Sequence, residues 1–224
     1  MSVKNNNIKA FNFQPGRIIA GKYEVVSKIG AGWEGEVYKI RERNSKVERA
    51  AKLFYPHRNI KNKTATQYAR RMHKLRHCPA VVQYHAEEVI TVKHTPVTLL
   101  ISEFVEGEAL TDFLKRFPGK RLHPFQAVHL LYALAQGIEC IHRHREYHGD
   151  LHAANIIVRR HGLSFELKLL DFFLHRSIPR RENMHEDICD MIKLFYDSLG
   201  GQRFYSKHPQ VVKDICLGLK STLI

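Results

Sequence analysis

The sequence predicts an α+β protein in which a small antiparallel β-sheet carrying one helix precedes a mainly helical half. Three observations carry that expectation. Residues 21–40 alternate apolar and polar side chains around a glycine-rich centre, residues 124–143 hold helical periodicity, and the texture changes from the first pattern to the second after Glu106-Gly107.

Taken in order, residues 21–40 read as strand, loop, strand, and residues 48–54 fit a third strand. Residues 64–76 have helical spacing, with Tyr68, Met72 and Leu75 on one side and Arg70, Arg71 and Lys74 elsewhere. Two more strands fit 81–92 and 97–104. Downstream, 109–116 and 124–143 read as helices, and short strands at 156–158 and 167–170 flank a tight turn. A helix over 187–199 is stopped by Gly200-Gly201, and a last helix fits 208–219. There is no internal repeat and no low-complexity linker.

A chain of 224 residues buries a sizeable core without staples, and 44% hydrophobic with 26% charged residues is too apolar for a disordered one. Cys78, Cys140, Cys189 and Cys216 are widely scattered and form no C-x-x-C pair, so neither a zinc site nor a disulfide framework is expected. A reducing cytoplasm is the default. The first sixteen residues contain no continuous apolar stretch, and nothing later approaches the ~20 apolar residues that cross a bilayer. A soluble cytoplasmic protein is therefore expected. Thirty-six Lys and Arg against 22 Asp and Glu give a net charge of +14, which favours an anionic partner without selecting one.

Four short stretches carry chemistry. In KIGAGWEGEVYKI, Gly30, Gly32, Gly35 and Val37 fit G-x-G-x-x-G-x-V, a spacing that lets backbone amides approach phosphate oxygens. An ordinary glycine-rich hairpin reads the same way. Fifteen residues beyond Val37, Lys52 interrupts the apolar strand RAAKLFY. Lysine is rarely buried unless paired, so its position suggests an anionic ligand, or else a stem lying along the surface. In HGDLHAANIIV, Asp150 is a carboxylate suited to accept or orient a hydroxyl proton, and Asn155 offers a neutral oxygen to a hard cation. Asp171, ending the apolar LKLL, supplies the anionic ligand that magnesium needs beside phosphate. Each aspartate alone also reads as a turn or helix cap.

The ordered series resembles the protein kinase superfamily. GAGWEG resembles its glycine-rich loop, AAK at Ala50 to Lys52 its third-strand lysine motif, HGDLHAAN its catalytic loop, and LDFF its metal-binding motif. SEFVEGEALTDFL resembles the hinge, with Ser102 at the gatekeeper position and Glu103 to Val105 presenting backbone to adenine. DICDMIKLFYDSLGG resembles the helix that supports the catalytic loop, with Asp187 at its starting aspartate. The similarity covers roughly 18–201. It implies a bilobal fold: an N-terminal extension over 1–17, an N-lobe over 18–102, a hinge over 103–107 and a shortened C-lobe over 108–224. It also implies that ATP and magnesium are used, with Lys52 on the α/β-phosphates, Asp150 at the acceptor hydroxyl, and Asn155 and Asp171 on the metal.

The pattern is broken in four places. No Asp or Glu occurs between Glu48 and Glu87, so the small-lobe helix lacks the acid that pairs with the strand lysine; its place falls near Gln67 or Tyr68. Lys52 must then pair with Asp171, with Glu34 or Glu88, or with nucleotide, and without nucleotide it should be poorly held. Gly149 stands where many protein kinases carry the arginine that reads a phosphorylated activation loop. His152 occupies the place of a phosphate donor, in the HGD form that resembles aminoglycoside and choline kinases; a solvent-facing loop histidine is the alternative. Phe173 replaces a glycine, so a backbone needing positive φ there would be strained. Finally, only fifteen residues separate Asp171 from Asp187 and 23 follow Gly201, an economy that resembles RIO-type and lipopolysaccharide kinases.

A minimal serine/threonine protein kinase is the reading these residues favour, with a small-molecule kinase or a pseudokinase that docks a partner as alternatives. The acceptor is a hydroxyl on a protein or a small molecule. The acid-free segment 49–86 holds nine Lys or Arg residues and suits an anionic partner, though a solvated helix face is favoured over a nucleic-acid site.

Overall fold

The computed structural model describes residues 8–173 and 177–219, and the expectations for 1–7, for 174–176 and for 220–224 lie outside the described residues. The chain divides into two compact units. One comprises Met1–Arg76 with Val82–Val105, the other His77–Val81 with Glu106–Ile224. Together they give the α+β class that the sequence predicts.

The first unit is a six-stranded antiparallel sheet with one α-helix. Its strands are β1 (Ile18–Ile19), β2 (Tyr23–Ala31), β3 (Gly35–Glu42), β4 (Glu48–Phe54), β5 (Tyr84–Val92) and β6 (Thr95–Glu103), in the order β1-β2-β3-β4-β6-β5, and the helix is α1 (Lys63–Lys74). Side chains alternate across the pleat, so the pairing register sorts them onto two faces. Glu36, Tyr38, Ala51, Leu53, Leu99 and Ile101 share one face, and all are buried. Val37, Lys52 and Leu100 share the other, where Phe54 and Leu100 pack on Ala65 and Ala69 of α1.

Residues ahead of β1 complete the first face. Ile8, Phe11 and Phe13 are buried in its core, Phe11 stacking on Tyr55 and Phe13 lying against Tyr38. This segment also serves a buried carboxylate. Glu36 accepts hydrogen bonds from the Phe11 and Asn12 amides, both at 3.3 Å, and from the Tyr38 and Tyr55 hydroxyls, and pairs with Lys28 at 2.8 Å. Burial works against its charge, but the Lys28 ammonium, the Tyr38 hydroxyl and the two amides outweigh it and hold the carboxyl below its ordinary value.

The second unit contains a three-stranded sheet, β7 (Glu108–Ala109), β8 (Ile156–His161) and β9 (Ser164–Leu169), in that order, with helices α2 (Leu110–Lys115), α3 (Pro124–Arg143), α4 (Arg180–Ser198), α5 (Gln202–Tyr205) and α6 (Gln210–Cys216). Helix α3 starts where a proline at the first helical position costs no hydrogen bond, and His123 with Gln126 closes a reciprocal cap. Its buried Leu130, Leu134, Gly137, Ile138 and Ile141 form one stripe. Helix α4 begins seven residues before the expected 187, because its first turns are charged and show no apolar period. Asn183 marks that start instead, its side-chain amide donating to the carbonyls of Ile178 and Pro179.

The cysteine expectation is corrected. Cys78 and Cys140 are joined by a disulfide, and Cys189 and Cys216 are thiols. The pair lie 62 positions apart in sequence, so no local spacing reveals it. Among the described residues no helix is long and apolar enough to cross a membrane.

Glu36→Ala leaves an ammonium, two hydroxyls and two amides facing a void, and is expected to cost about 3 kcal/mol in urea unfolding at pH 7. Because the folded carboxyl titrates below its ordinary 4.5, its contribution is complete above that value and fades as the pH falls further. The difference from wild type should therefore close in acid; a constant difference would show that packing alone is lost.

Candidate functional site

In the first unit the expected nucleotide residues lie on neighbouring strands. Gly30 ends within β2, Gly32 and Gly35 close the β2–β3 turn through a 2.9 Å hydrogen bond from the Gly32 amide to the Gly35 carbonyl, and Val37 pairs with Lys52 across β3 and β4. Gly35 has an obligation to the sheet itself: a Cβ there would sit 1.8 Å from the Leu53 carbonyl oxygen. Around Gly32 there is open space. Ala50 pairs with Ser102 across β4 and β6, and Glu103 fixes the end of β6 by accepting from the Gln83 amide at 2.9 Å while donating its own amide to the Gln83 carbonyl. Val105, half-buried, ends this unit.

Lys52 is held by Glu34 of the glycine-rich turn, with 2.8 Å between Nζ and Oε2. Glu34 is itself anchored, since its carbonyl accepts the Tyr55 amide at 2.9 Å. Glu88 pairs with Lys22 instead. The expectation that Lys52 is poorly held without nucleotide is thereby corrected. At the place where the helix acid was sought, the Tyr68 ring lies 4.9 Å from the Lys52 nitrogen, so a cation–π contact stands in for an ion pair. The position read only for a missing acid thus carried an aromatic partner.

In the second unit, Asp150, His152, Asn155 and Asp171 are brought together by the loop between α3 and β8 and the end of β9. The Asn155 side-chain amide donates to the Asp150 backbone carbonyl at 2.9 Å and to its carboxylate at 3.1 Å. The Asn155 Oδ1 is then the atom that a hard cation would take. His152 Nδ1 accepts the Ala154 amide, which puts the ring proton on Nε2, 3.6 Å from the Asp150 carboxylate; both side chains are half exposed. Asp171 is bracketed by two backbone bonds to the loop, Leu170 N to Asn155 O at 2.8 Å and Phe173 N to His148 O at 2.9 Å.

The strain expected at Phe173 falls elsewhere. Phe173 is absent from the left-handed region; Asp171 adopts it, at φ +54°, a conformation that aspartate tolerates better than most residues. Gly149 adopts it as well, at φ +79°, and a Cβ there would lie 2.6 Å from the Phe173 carbonyl oxygen and 2.9 Å from the Tyr147 ring. This accounts for glycine in HGD: an arginine has no room on that backbone path.

Asp187, fully buried in α4, sets the path. It accepts the His148 amide at 2.7 Å, the Gly149 amide at 2.9 Å and the His142 ring at 2.9 Å. His142 is a positioning residue that the sequence did not reveal, because a histidine near a helix end carries no signal of its buried partner. A cavity of about 620 Å³ opens beside the loop, lined by Gly149, Ile178, Asn183, His185, Glu186 and Asp190 among others. Burial, with the charges of Asp187 and Glu186, pushes the Asp190 carboxyl up to about 6.

Residues 23–205 match the protein kinase domain, and the chain belongs to that family. It is 30% identical over 147 residues to the tyrosine-protein kinase SPK-1 of Girardia tigrina, covering 66% of this chain and 29% of that protein. It is 29% identical over 164 residues to the serine/threonine-protein kinase pkn2 of Myxococcus xanthus, covering 72% and 19% respectively. Over 157 residues it is 30% identical to the dual specificity testis-specific protein kinase 1 of Mus musculus, covering 70% and 24%. The chain thus spans less than a third of the length of each of these relatives.

Gly149→Ala is expected to lower stability by about 2 kcal/mol or more, since it combines a left-handed backbone with a contact that the Phe173 carbonyl must vacate. Equilibrium unfolding measures it; a change under about 0.5 kcal/mol would show that the loop takes another path.

Proposed function

We propose that the chain is an ATP- and magnesium-dependent phosphotransferase acting on a hydroxyl, most simply of serine or threonine in a protein. The observation that carries this reading is the bracketing of Asp171 by two backbone hydrogen bonds to the loop that bears Asp150 and Asn155. Asn155 Oδ1 and the Asp171 carboxylate are hard oxygen donors of the kind magnesium selects, and they are the residues that would hold it; bound there, the ion neutralises phosphate charge. Asp150 orients the acceptor hydroxyl and takes its proton, and His152, whose Nε2–H points toward Asp150, donates to the transferring group. In the first unit the open space at Gly32 admits phosphate oxygens to backbone amides, Lys52 neutralises them, and the Glu103 to Val105 backbone takes the adenine.

The relatives' names span tyrosine, serine/threonine and dual specificity, so the acceptor residue is a matter for assay. The reading puts the chain in the cytoplasm, where ATP is supplied. Arg70, Lys74 and Arg76 are exposed on and after α1 and suit an anionic protein partner rather than a nucleic acid.

With magnesium and labelled ATP, the protein is expected to phosphorylate itself or a supplied acceptor. Asp150→Asn should lower transfer by roughly 10²–10⁴-fold while leaving nucleotide affinity within about threefold. Asp171→Asn should weaken metal-dependent binding. Nucleotide binding with no transfer across serine, threonine and tyrosine acceptors, unchanged by Asp150→Asn, would favour a pseudokinase.

Glu34 places a carboxylate where the reading puts phosphate. Glu34→Gln is therefore expected to tighten ATP binding about three- to tenfold in calorimetry at low salt, the gain shrinking as ionic strength rises. Weaker binding would mean instead that Glu34 orients Lys52 for the nucleotide.

A further inference from the structure

The link between Cys78 and Cys140 has a third member. His144 stands one turn beyond Cys140, at the C-terminal cap of α3, and its Nδ1 lies 3.7 Å from Cys78 Sγ and 2.8 Å from the Cys140 carbonyl oxygen. One ligand atom from each of these three residues falls within 4.8 Å of the others. Two sulfurs and an imidazole nitrogen form a donor set that zinc binds. Bond lengths of about 2.3 Å to sulfur and about 2.0 Å to nitrogen give tetrahedral S···N and S···S edges of about 3.5 Å and about 3.8 Å. The sulfur–nitrogen separation is already close to the first value, and breaking the disulfide lets the sulfurs part to the second.

The backbone around these residues holds the three side chains together. The segment carrying Cys78 packs so tightly on α3 that a Cβ at Gly137 would lie 3.0 Å from Ala80 Cβ. Gly137, Cys140 and His144 follow one another at helical spacing, so they share the helix face that meets this segment. On its far side the segment is tied to β9, by the Leu169 amide to the Ala80 carbonyl at 2.7 Å and by a parallel bridge between Val81 and Leu169. Leu169 lies two residues before Asp171.

We propose that Cys78, Cys140 and His144 are a redox-controlled zinc site: the dithiol form binds one Zn²⁺, and the disulfide is its metal-free, oxidised form. The interconversion balances. An external dithiol attacks the Cys78–Cys140 bond, passes through a mixed disulfide and leaves as its own disulfide, delivering two electrons and leaving two protein thiols. Zinc then displaces two thiol protons to solvent. The neutral His144 ring carries its proton on Nε2 and gives the Nδ1 pair to the metal, releasing its hydrogen bond to the Cys140 carbonyl. Two thiolates cancel the ion's charge, and the fourth position is left to solvent. Either state pins the segment to α3, so the β9 end that leads to Asp171 is braced in both.

The test uses the full chain and Zn²⁺ alone, with no nucleotide, so its result is independent of phosphotransfer. Protein reduced with a dithiol, stripped by a chelator and freed of both is titrated with zinc against a chromogenic competitor. One equivalent is expected to bind at least about 100-fold more tightly than to the untreated disulfide form, and Co²⁺ in its place should show thiolate-to-cobalt charge transfer. Cys140→Ser should abolish the tight equivalent, and joint Cys189→Ser and Cys216→Ser should leave it intact. His144→Gln keeps both thiols and the disulfide, so it folds in the oxidised state; after reduction it should bind about 10- to 100-fold more weakly. Equal zinc affinity in the reduced and oxidised proteins would overturn the proposal, as would retention of tight binding in both Cys140→Ser and His144→Gln. So would alkylation showing that a dithiol leaves Cys78 and Cys140 linked in the folded chain.

Discussion

The second unit is organised around a carboxylate that water does not reach. Asp187 is completely buried, and a buried charge is tolerated only when its lone pairs are filled. Three donors fill them, two amides from the loop and one ring nitrogen from α3, so a single side chain ties α4, α3 and the His148–Gly149 backbone together. The geometry that follows is forced in sequence. Both amides must turn inward, Gly149 takes a left-handed conformation to allow it, and the Phe173 carbonyl settles in the space that a side chain would have filled. Phe173 then bonds to His148, and Asp171 is carried alongside Asp150 and Asn155. The glycine of HGD and the Phe173 backbone of DFF belong to one packing arrangement.

The first unit handles its cation differently. Lys52 meets a carboxylate from a turn and an aromatic ring from a helix. The turn is pinned to β4's end through the Glu34 carbonyl and the Tyr55 amide, and the ring packs against the core beside α1. The Tyr68 ring gives the lysine a partner that carries no charge of its own. Within the first unit Lys52 is thus held by one charged and one uncharged partner.

The sequence was most informative where a pattern has a physical period. Strand β4 and helix α3 fall at 48–54 and 124–143 as expected, because an alternating strand buried on one side and a long apolar stripe leave little freedom. It was least informative where long-range polar contacts decide. The start of α4 rests on Asn183 bonds that no periodicity encodes, and β1 and β7 are two-residue pairings too short to leave a pattern. The motif residues of the site were legible by type and order. Their geometry was not: the left-handed backbone was expected at Phe173 and lies at Asp171, since the deciding bonds come from a loop fifteen and more residues away. The Cys78–Cys140 link was hidden for the same reason, its partners being neighbours only after α3 packs on the segment before β5.

The burial of Ile8, Phe11 and Phe13 bears on where this domain begins. The stretch that matches the family opens at residue 23, yet among the described residues the hydrophobic interior already includes residue 8. A fragment trimmed to the family's edge would shed four apolar anchors, Ile19 included, and with them the Phe11 and Asn12 amides that solvate Glu36. That carboxylate adjoins Gly35, so the damage would surface at the root of the glycine-rich turn, on the strand opposite Lys52. Homology marks the part of the chain that is shared, and the part that makes it fold is longer.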